Sequence, residues 1–342
     1  MNDDERVLLA DVGGTNVRFA LADPAAARPL LADSIRPYRV ADFTTFTDAA
    51  LGYLGDVAAS ATRGVFAFAG AVTGDDVRMT NHPWTVSRPR VRAELALSTL
   101  RFVNDFAAMS LAVPLLESVH AIGAPAMPPV DASQARTYAV IGPGTGLGVG
   151  ALLLRERHAI ALETEGGHAA FAPRTEEEMG VLRRLSARYG RVSNERLLSG
   201  PGLVNLHRAL GELHDAFDGE PRPEEITAGA EAGDAACVRT LEMFCELLGA
   251  VAGDHVLSFG AWDGVYLAGG LVQPLLGWLS RGGFRRRFED KGRFAPAMAA
   301  VPTAAILDPY AGLLGAAACA VIDSGRRLPP FASIERRRGG AW

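Results

Sequence analysis

Apolar and polar positions along this chain fall into two alternating rhythms. Leu8 to Ala22 is two apolar runs parted by a polar turn, Asp11 to Asn16, and reads as a β-hairpin. Val140 to Leu153 repeats the design, strand, Gly-Thr turn, strand. Further strands are expected at Ser34–Tyr38, Gly64–Ala69 (closed by Gly70 and Gly74), Thr99–Val103, Ala159–Leu162, Val265–Ala268 and Val301–Leu307. Helical spacing appears between them. Phe43, Phe46, Ala50, Leu51 and Leu54 share one face of a helix over Phe43–Val57. Helices are also predicted at Phe106–Leu116, at Glu176–Tyr189 behind a Thr175/Glu178 capping box, from Leu203, at Ala235–Phe259, from Pro274 and at Ala311–Ile322. Strands alternating with helices give an α/β fold. Met79–Trp84 is a loop whose His-Pro-Trp favours packing, and the proline-rich Pro125–Pro129 marks a crossing between domains.

A chain of 342 residues should divide into two domains or carry one deep cleft, because single cores rarely outgrow about 250–300 residues. A net charge of −5 argues against nucleic acid as a partner, and Arg336–Arg338 reads as a solvated chain end. The acidic N-terminus and the lack of a long apolar run predict a cytoplasmic protein with no membrane partner. Cys237, Cys245 and Cys319 are too scattered for a disulfide framework or a cysteine-held zinc, and both Cys237 and Cys245 are placed in the core. The single lysine, Lys291, is not followed by Ser or Thr, which excludes a Walker-type phosphate loop.

Candidate chemistry starts at the first hairpin. Gly13 and Gly14 permit positive φ and close backbone approach, and their N–H groups with the Thr15 hydroxyl form a donor surface for phosphate oxygens. Asp11 has the wrong charge for phosphate and suits a Mg²⁺ ion with its waters in between. Taken alone, such a turn is as readily a plain hairpin. The echo of Gly14-Thr15 in Gly144-Thr145 points to two similar halves facing one nucleotide. Asn104-Asp105 ends a strand and opens a helix, where ligands of open α/β sheets bind. An N-cap needs one of the pair, which leaves the other for chemistry. Glu163–His168 is a turn with three ionisable groups, and Ser193-Asn194-Glu195 precedes the loop Leu197–Gly202. Singly, Glu165, His168 and Glu195 read as ordinary turn polarity.

In order, these pieces resemble the bacterial glucokinases, the non-zinc family of the hexokinase–actin superfamily. The likeness runs from about Leu8 to Ile322. It rests on Asp11–Asn16, Met79–His82, Asn104–Phe106, Gly144–Gly148, Glu165–His168, Glu195–Leu206, Ala268–Gly270 and Phe288–Phe294. One departure is Ala69–Val72, where the family often has Cys-Pro.

The resemblance implies a two-domain, actin-like (RNase H-like) α/β fold around a deep cleft. Residues 1–115, completed by 308–325, would form the small domain, 116–307 the large one, and 326–342 a tail. It further implies ATP with Mg²⁺, glucose as the sugar phosphorylated at its 6-hydroxyl, and a homodimer. Ala10, Asp11, Val12, Gly13, Gly14, Thr15, Gly144, Thr145, Gly146, Gly269 and Gly270 would face the nucleotide. Asn104, Asp105, Glu165, His168 and Glu195 would hold the sugar, with Asp105 as general base and no protein side chain directly on the metal. A related repressor/kinase group carries a cysteine-bound zinc beside its Glu-x-Gly-His; without those cysteines, His168 is expected to serve a hydroxyl. Rival expectations are a kinase for another sugar or phosphoryl donor, a sugar-responsive regulator and an actin-like assembly protein. Strand one begins at about Arg6, too early for a preceding DNA-binding helix pair, and Asn104-Asp105 with the Glu-Gly-Gly-His turn argues against assembly.

Overall fold

The computed structural model describes residues 6–328 except 71, 73, 79–83, 132, 156–157, 215–218 and 220. The Met79–His82 segment and the Arg336–Arg338 tail therefore lie outside the described residues.

Both hairpins form, and each seeds a sheet of the same design. In the first, β1 (Val7–Val12), β2 (Asn16–Ala22) and β3 (Leu30–Arg39) make an antiparallel meander. The helix α1 (Phe46–Asp56) returns the chain to β4 (Arg63–Phe68), parallel to β1. A small ribbon, β5 (Asp76–Arg78) with β6 (Thr85–Ser87), and helix α2 (Arg88–Glu94) lead to β7 (Thr99–Asn104), parallel to β4. The order is β3-β2-β1-β4-β7.

Helix α3 (Asp105–Ala112) then carries the chain to an edge strand β8 (His120–Ala121) and a second meander, β9 (Arg136–Pro143), β10 (Leu147–Arg155) and β11 (His158–Thr164). Four helices follow, α4 (Glu176–Tyr189), α5 (Gly200–Leu213), α6 (Pro223–Glu231) and α7 (Ala235–Phe259). Next come β12 (Gly264–Leu267), α8 (Leu276–Leu279), α9 (Gly283–Glu289), α10 (Ala295–Ala299), β13 (Thr303–Ala305) and the closing helix α11 (Ala311–Asp323). This sheet runs β11-β10-β9-β12-β13-β8, with β12 parallel to β9 and β13. Apart from the added edge strand β8, its order matches the first sheet's. The echo between the two Gly-Thr turns is thus a repeat of topology. The chain is α/β with two mixed sheets.

Strand periodicity explains how the sheets are filled. Leu8, Ala10 and Val12 point with Phe19, Phe46, Tyr53, Phe66, Phe68 and Trp84 into one core. The alternate residues Val7 and Leu9 point the other way, into a middle core shared with α3, α11 and the second sheet's Tyr138, Val140 and Tyr266. Ala139 and Ile141 face a third core built by α4, α5, α7 and α9. Both faces of the central strands are covered, hence their continuous apolar runs.

Trp84 is buried and donates its indole N–H to the Phe43 carbonyl at 3.3 Å, which is packing; His82 and Pro83 lie outside the described residues. The Thr175/Glu178 box caps α4 as expected. Glu178, 1% exposed, also accepts from Arg287 at 2.8 Å. Cys245 and Cys319 are buried, their thiols pushed up to about 12 and about 11 by desolvation, and Cys237 is half-buried.

Several boundaries differ from the pattern. The helix expected from Pro274 is one turn, α8, and Gly282, at φ 96°, caps the start of the separate helix α9. The strand expected over Val301–Leu307 is three residues, preceded by Pro302, and beyond it the Ile306 N–H still donates to the Leu267 carbonyl of β12 at 2.8 Å. Helix α6, which the pattern did not predict, begins at Pro223, a proline well placed at a helix start.

Candidate active site

The first functional turn is tighter than its glycines suggest. Gly13 stays out of the left-handed region, and its N–H donates to the Asn16 carbonyl at 2.9 Å. The expectation of positive φ there is not met, because the hairpin closes on its own backbone. The Thr15 carbonyl accepts the Val40 N–H at 3.0 Å, and among the described residues no acceptor stands within hydrogen-bond distance of the Gly14 and Thr15 N–H groups. Ala10 and Val12 bury their side chains in the first core, and their strand pairs with β2 on one side and β4 on the other.

Asp11, between them, projects to the opposite face. Its cross-strand neighbour on β2 is Arg18, whose guanidinium donates to the carboxylate at 3.3 Å. Gly312 of α11 backs the same carboxylate so closely that a Cβ there would lie 2.7 Å from its carbon. Burial raises the Asp11 pKa, against the charge and hydrogen bond of Arg18. Neither Arg18 nor Gly312 was among the expected site residues. Counting outward from the turn pairs 11 with 18, so that signal was present; nothing local marks Gly312.

Asn104 and Asp105 divide their duties. Asn104 is the N-cap of α3, its Oδ1 accepting from the N–H of Phe106 (2.9 Å) and Ala107 (3.0 Å), while its Nδ2 donates to the Gly70 carbonyl at 3.0 Å. Both acceptor sites of the amide are filled. Asn104 therefore keeps one N–H for a ligand rather than the acceptor expected of it. Asp105, the first residue of the helix, shares the Phe106 N–H with Asn104, accepting it on Oδ1 at 2.9 Å, while the cap on Ala107 belongs to Asn104 alone. Its pKa is pushed up to about 7, first by burial, then by Asp11 and more weakly by Glu165, with the Phe106 N–H pulling the other way. Asp105 thus sits within electrostatic reach of a carboxylate from each sheet.

Glycines of the second hairpin hold it there. A Cβ on Gly142 or Gly148 would run into the Phe106 ring, and one on Gly150 would lie 2.9 Å from Ser110 Oγ. These residues form a flat bed for α3, a packing role alongside whatever the hairpin's turn binds. The turn itself closes with the Gly144 N–H donating to the Gly146 carbonyl at 2.8 Å. Gly269, at φ 94°, packs on the Pro143 carbonyl (2.7 Å from a notional Cβ), which brings Gly269-Gly270 against the Gly144 turn. Among the described residues no hydrogen bond joins the Gly13–Thr15 turn to Gly144–Gly146.

The third group assembles through a backbone bridge. Ala170 pairs with Ser193, and the Asn194 N–H donates to the Ala169 carbonyl at 2.9 Å, setting Glu195 beside His168. The His168 ring lies between two carboxylates, Nε2 3.9 Å from Glu165 and Nδ1 3.9 Å from Glu195. Arg191 fixes the turn by donating to the His168 carbonyl at 2.7 Å. The side chains of Glu165 and His168 are 63% and 57% exposed and Glu195 is 31% exposed, an open polar wall. His255 of α7 lies beneath this turn, buried, against Gly166, another residue the sequence did not signal.

Gly167 shows how tightly the turn is seated, since a methyl there would collide with the Leu147 carbonyl of β10. On the expectation that this turn holds the sugar, Gly167→Ala lifts Glu165 and His168 together and raises the KM for sugar about tenfold or more, with kcat changed less. Steady-state kinetics on the folded variant checks this; an unchanged KM would separate the turn from sugar binding.

This arrangement can be compared with known proteins. The model of the Glucokinase family matches residues 8–322. The chain belongs to the glucokinase family. It is 53% identical over 326 residues to a glucokinase of Xanthomonas oryzae pv. oryzae (strain MAFF 311018), covering 95% of this chain and 97% of the relative. It is also 53% identical over 333 residues to that of Stenotrophomonas maltophilia (strain K279a), covering 97% and 99%. Among solved structures, glucokinase from an Antarctic psychrotroph superposes with a TM-score of 0.82 at 32% identity, covering 92% of this chain and 98% of that one. A ROK family glucokinase from Streptomyces griseus, solved with glucose and AMPPNP, shares the fold at a TM-score of 0.60 and 19% identity, covering 91% and 98%. As a member of its family, this chain is an ATP-dependent hexose kinase. No helix among its described residues is long and apolar enough to cross a membrane.

Proposed function

We propose that this glucokinase transfers the γ-phosphoryl group of ATP to the 6-hydroxyl of glucose with Asp105 as general base. The observation that carries the reading is the division of labour at the start of α3. Asn104 satisfies the helix, and Asp105 is left as a carboxylate with a pKa pushed up to about 7. A base is most effective when its pKa lies near the working pH. As the bond from O6 to phosphorus forms, the hydroxyl proton passes to Asp105 and the bond to the leaving ADP breaks. Such a base supplies about 10²–10⁴ in rate; positioning and charge neutralisation supply the rest.

The proposed site lies in a cleft between two actin-like domains, 1–115 with 308–325 and 116–307. The N–H groups of Gly14, Thr15, Thr145 and Gly146 would cradle the phosphates, and Gly269-Gly270 would border the adenosine. Mg²⁺ carried on phosphates needs only one or two carboxylates, often through water, and Asp11 would face the ion in that way. When bound, the ion neutralises phosphate charge. Among the described residues no cluster of three or more His, Cys, Asp or Glu stands where it could hold a metal ion. Glu165, His168, Glu195 and the remaining Asn104 N–H would bind the sugar hydroxyls. The family likeness supports a cytoplasmic homodimer, to be checked by sedimentation.

A coupled assay over a panel of sugars and donors tests the reading. Glucose with ATP should exceed galactose and mannose in kcat/KM by about 10²-fold or more, because a displaced hydroxyl leaves a carboxylate of the wall unpaired. Comparable values for an epimer, or a stronger rate with polyphosphate, would contradict it. Purified active protein should need Mg²⁺ and contain no stoichiometric zinc by metal analysis.

A further inference from the structure

One carboxylate touches both halves of the proposed site. Glu195 Oε2 accepts the N–H of Leu147 at 2.9 Å, immediately after the Gly144-Thr145-Gly146 turn, while Oε1 faces His168 Nδ1 at 3.9 Å. The absence of a side chain at Gly146 admits this contact, since a Cβ there would stand 2.5 Å from Oε2. The other end of the turn is tied to the same short segment. The Gly200 N–H, first in α5, donates to the Gly144 carbonyl at 2.8 Å. The Ser199 hydroxyl donates to the Glu195 carbonyl at 2.8 Å. Residues 195–200 therefore grip the turn at both of its ends, and one grip is a charge-assisted bond from a side chain that also borders the open polar wall.

We propose that Glu195 couples sugar binding to nucleotide binding. A sugar hydroxyl donating to Oε1 fixes the carboxylate's rotation, and with it the direction in which Oε2 holds Leu147 and the turn presented to the phosphates. Phosphates seated on the turn fix the same carboxylate from the other side. Each ligand then binds a partner group already ordered by the other, and the effect is reciprocal by linkage. This rests on the preceding reading, in which Glu195 faces sugar and Gly144–Gly146 faces phosphate.

The test is a set of calorimetric titrations on the full chain, with glucose and a non-hydrolysable ATP analogue, each alone and each with the other saturating. In the native protein glucose should tighten the analogue about fivefold or more, and the analogue should tighten glucose by the same factor. Glu195→Asp keeps the charge but shortens the reach, so it cannot span both contacts. Its factor should fall to about one, while glucose alone still binds, more weakly. Glu195→Gln keeps the reach and an oxygen for Leu147, so it should retain part of the factor. A native factor of one, or a Glu195→Asp factor equal to the native one, would overturn the coupling while leaving the sugar assignment standing. If neither variant changes the Kd of glucose alone, the sugar assignment itself fails, and the coupling with it.

Discussion

Asp105→Asn is expected to lower kcat by about 10² or more while glucose affinity changes only a few-fold. Asparagine keeps the shape and can keep the oxygen that accepts the Phe106 N–H at 2.9 Å. It leaves the helix start intact, because the cap belongs to Asn104. What disappears is the proton acceptor. The pH dependence follows from the same carboxyl, whose pKa is raised from 3.8 to about 7 by burial and by Asp11. Activity of the native enzyme should decline as pH falls through about 7, where the base becomes protonated. Stability moves the opposite way. A raised pKa means the folded protein holds this proton more tightly than the unfolded chain. That contribution is fully present below about pH 4 and is lost as pH rises through about 7. Above that point the native fold carries a charged carboxylate near Asp11 and Glu165, which the variant lacks. The Tm of Asp105→Asn should therefore exceed the native value at pH 8 and converge with it at pH 4. Near-normal turnover would move the role of base to Glu165. A variant less stable than native at pH 8 would show that the residue's main work is structural.

Much of the fold was legible because its signals are local. The hairpin at Asp11–Asn16, the capping box at Thr175 and Glu178, and the long amphipathic α7 each announce themselves within a few residues. The short pieces were less so. β13 keeps only three residues of the strand expected over Val301–Leu307, held between β12 and β8, and the two-residue β8 carried no signal; strands this short exist because neighbours offer them partners, not because their own sequence demands it. Helix α8 likewise keeps four residues of the helix expected from Pro274.

The candidate site divides the same way. Counting what one N-cap requires left one of Asn104 and Asp105 for chemistry, and only the structure assigns the cap to Asn104. The dual use of the second hairpin was not legible: Gly142, Gly148 and Gly150 look like parts of a phosphate loop, yet they lie against α3. Gly-x-Gly spacing cannot distinguish backbone offered to a ligand from backbone offered to a helix. Arg18 followed from hairpin register. His255, some 90 positions from Gly166, and Gly312, some 300 from Asp11, are contacts between distant elements, and only the assembled topology reveals them.

The closing helix α11 carries the second large expected effect, at Gly315. Gly312 and Gly315 lie three apart on one face of this helix. The first backs the Asp11 carboxylate, and the second meets the backbone of Ala108, one turn along α3 from Asp105. A methyl group at 315 would collide with the Ala108 carbonyl, a backbone atom that no rotamer change can move aside. Nor can α3 retreat as a body, since its far side already rests through Phe106 on Gly142 and Gly148. Gly315→Ala should therefore cost about 1–3 kcal/mol or somewhat more, as overpacking does in a filled core. It should also shift the start of α3. A displacement near 1 Å in a catalytic group can cost about 10²-fold, so kcat should fall at least tenfold even in the fraction that remains folded. Gly55→Ala provides the control. It makes the same chemical change inside α1, where a Cβ meets nothing within 4 Å, and should hold or raise stability. Urea unfolding midpoints and kcat at saturating substrates, measured on both variants, separate the cases. A Gly315→Ala midpoint equal to native would mean that α11 and α3 have slack between them, and the packing of α11 could not then be what sets the position of Asp105.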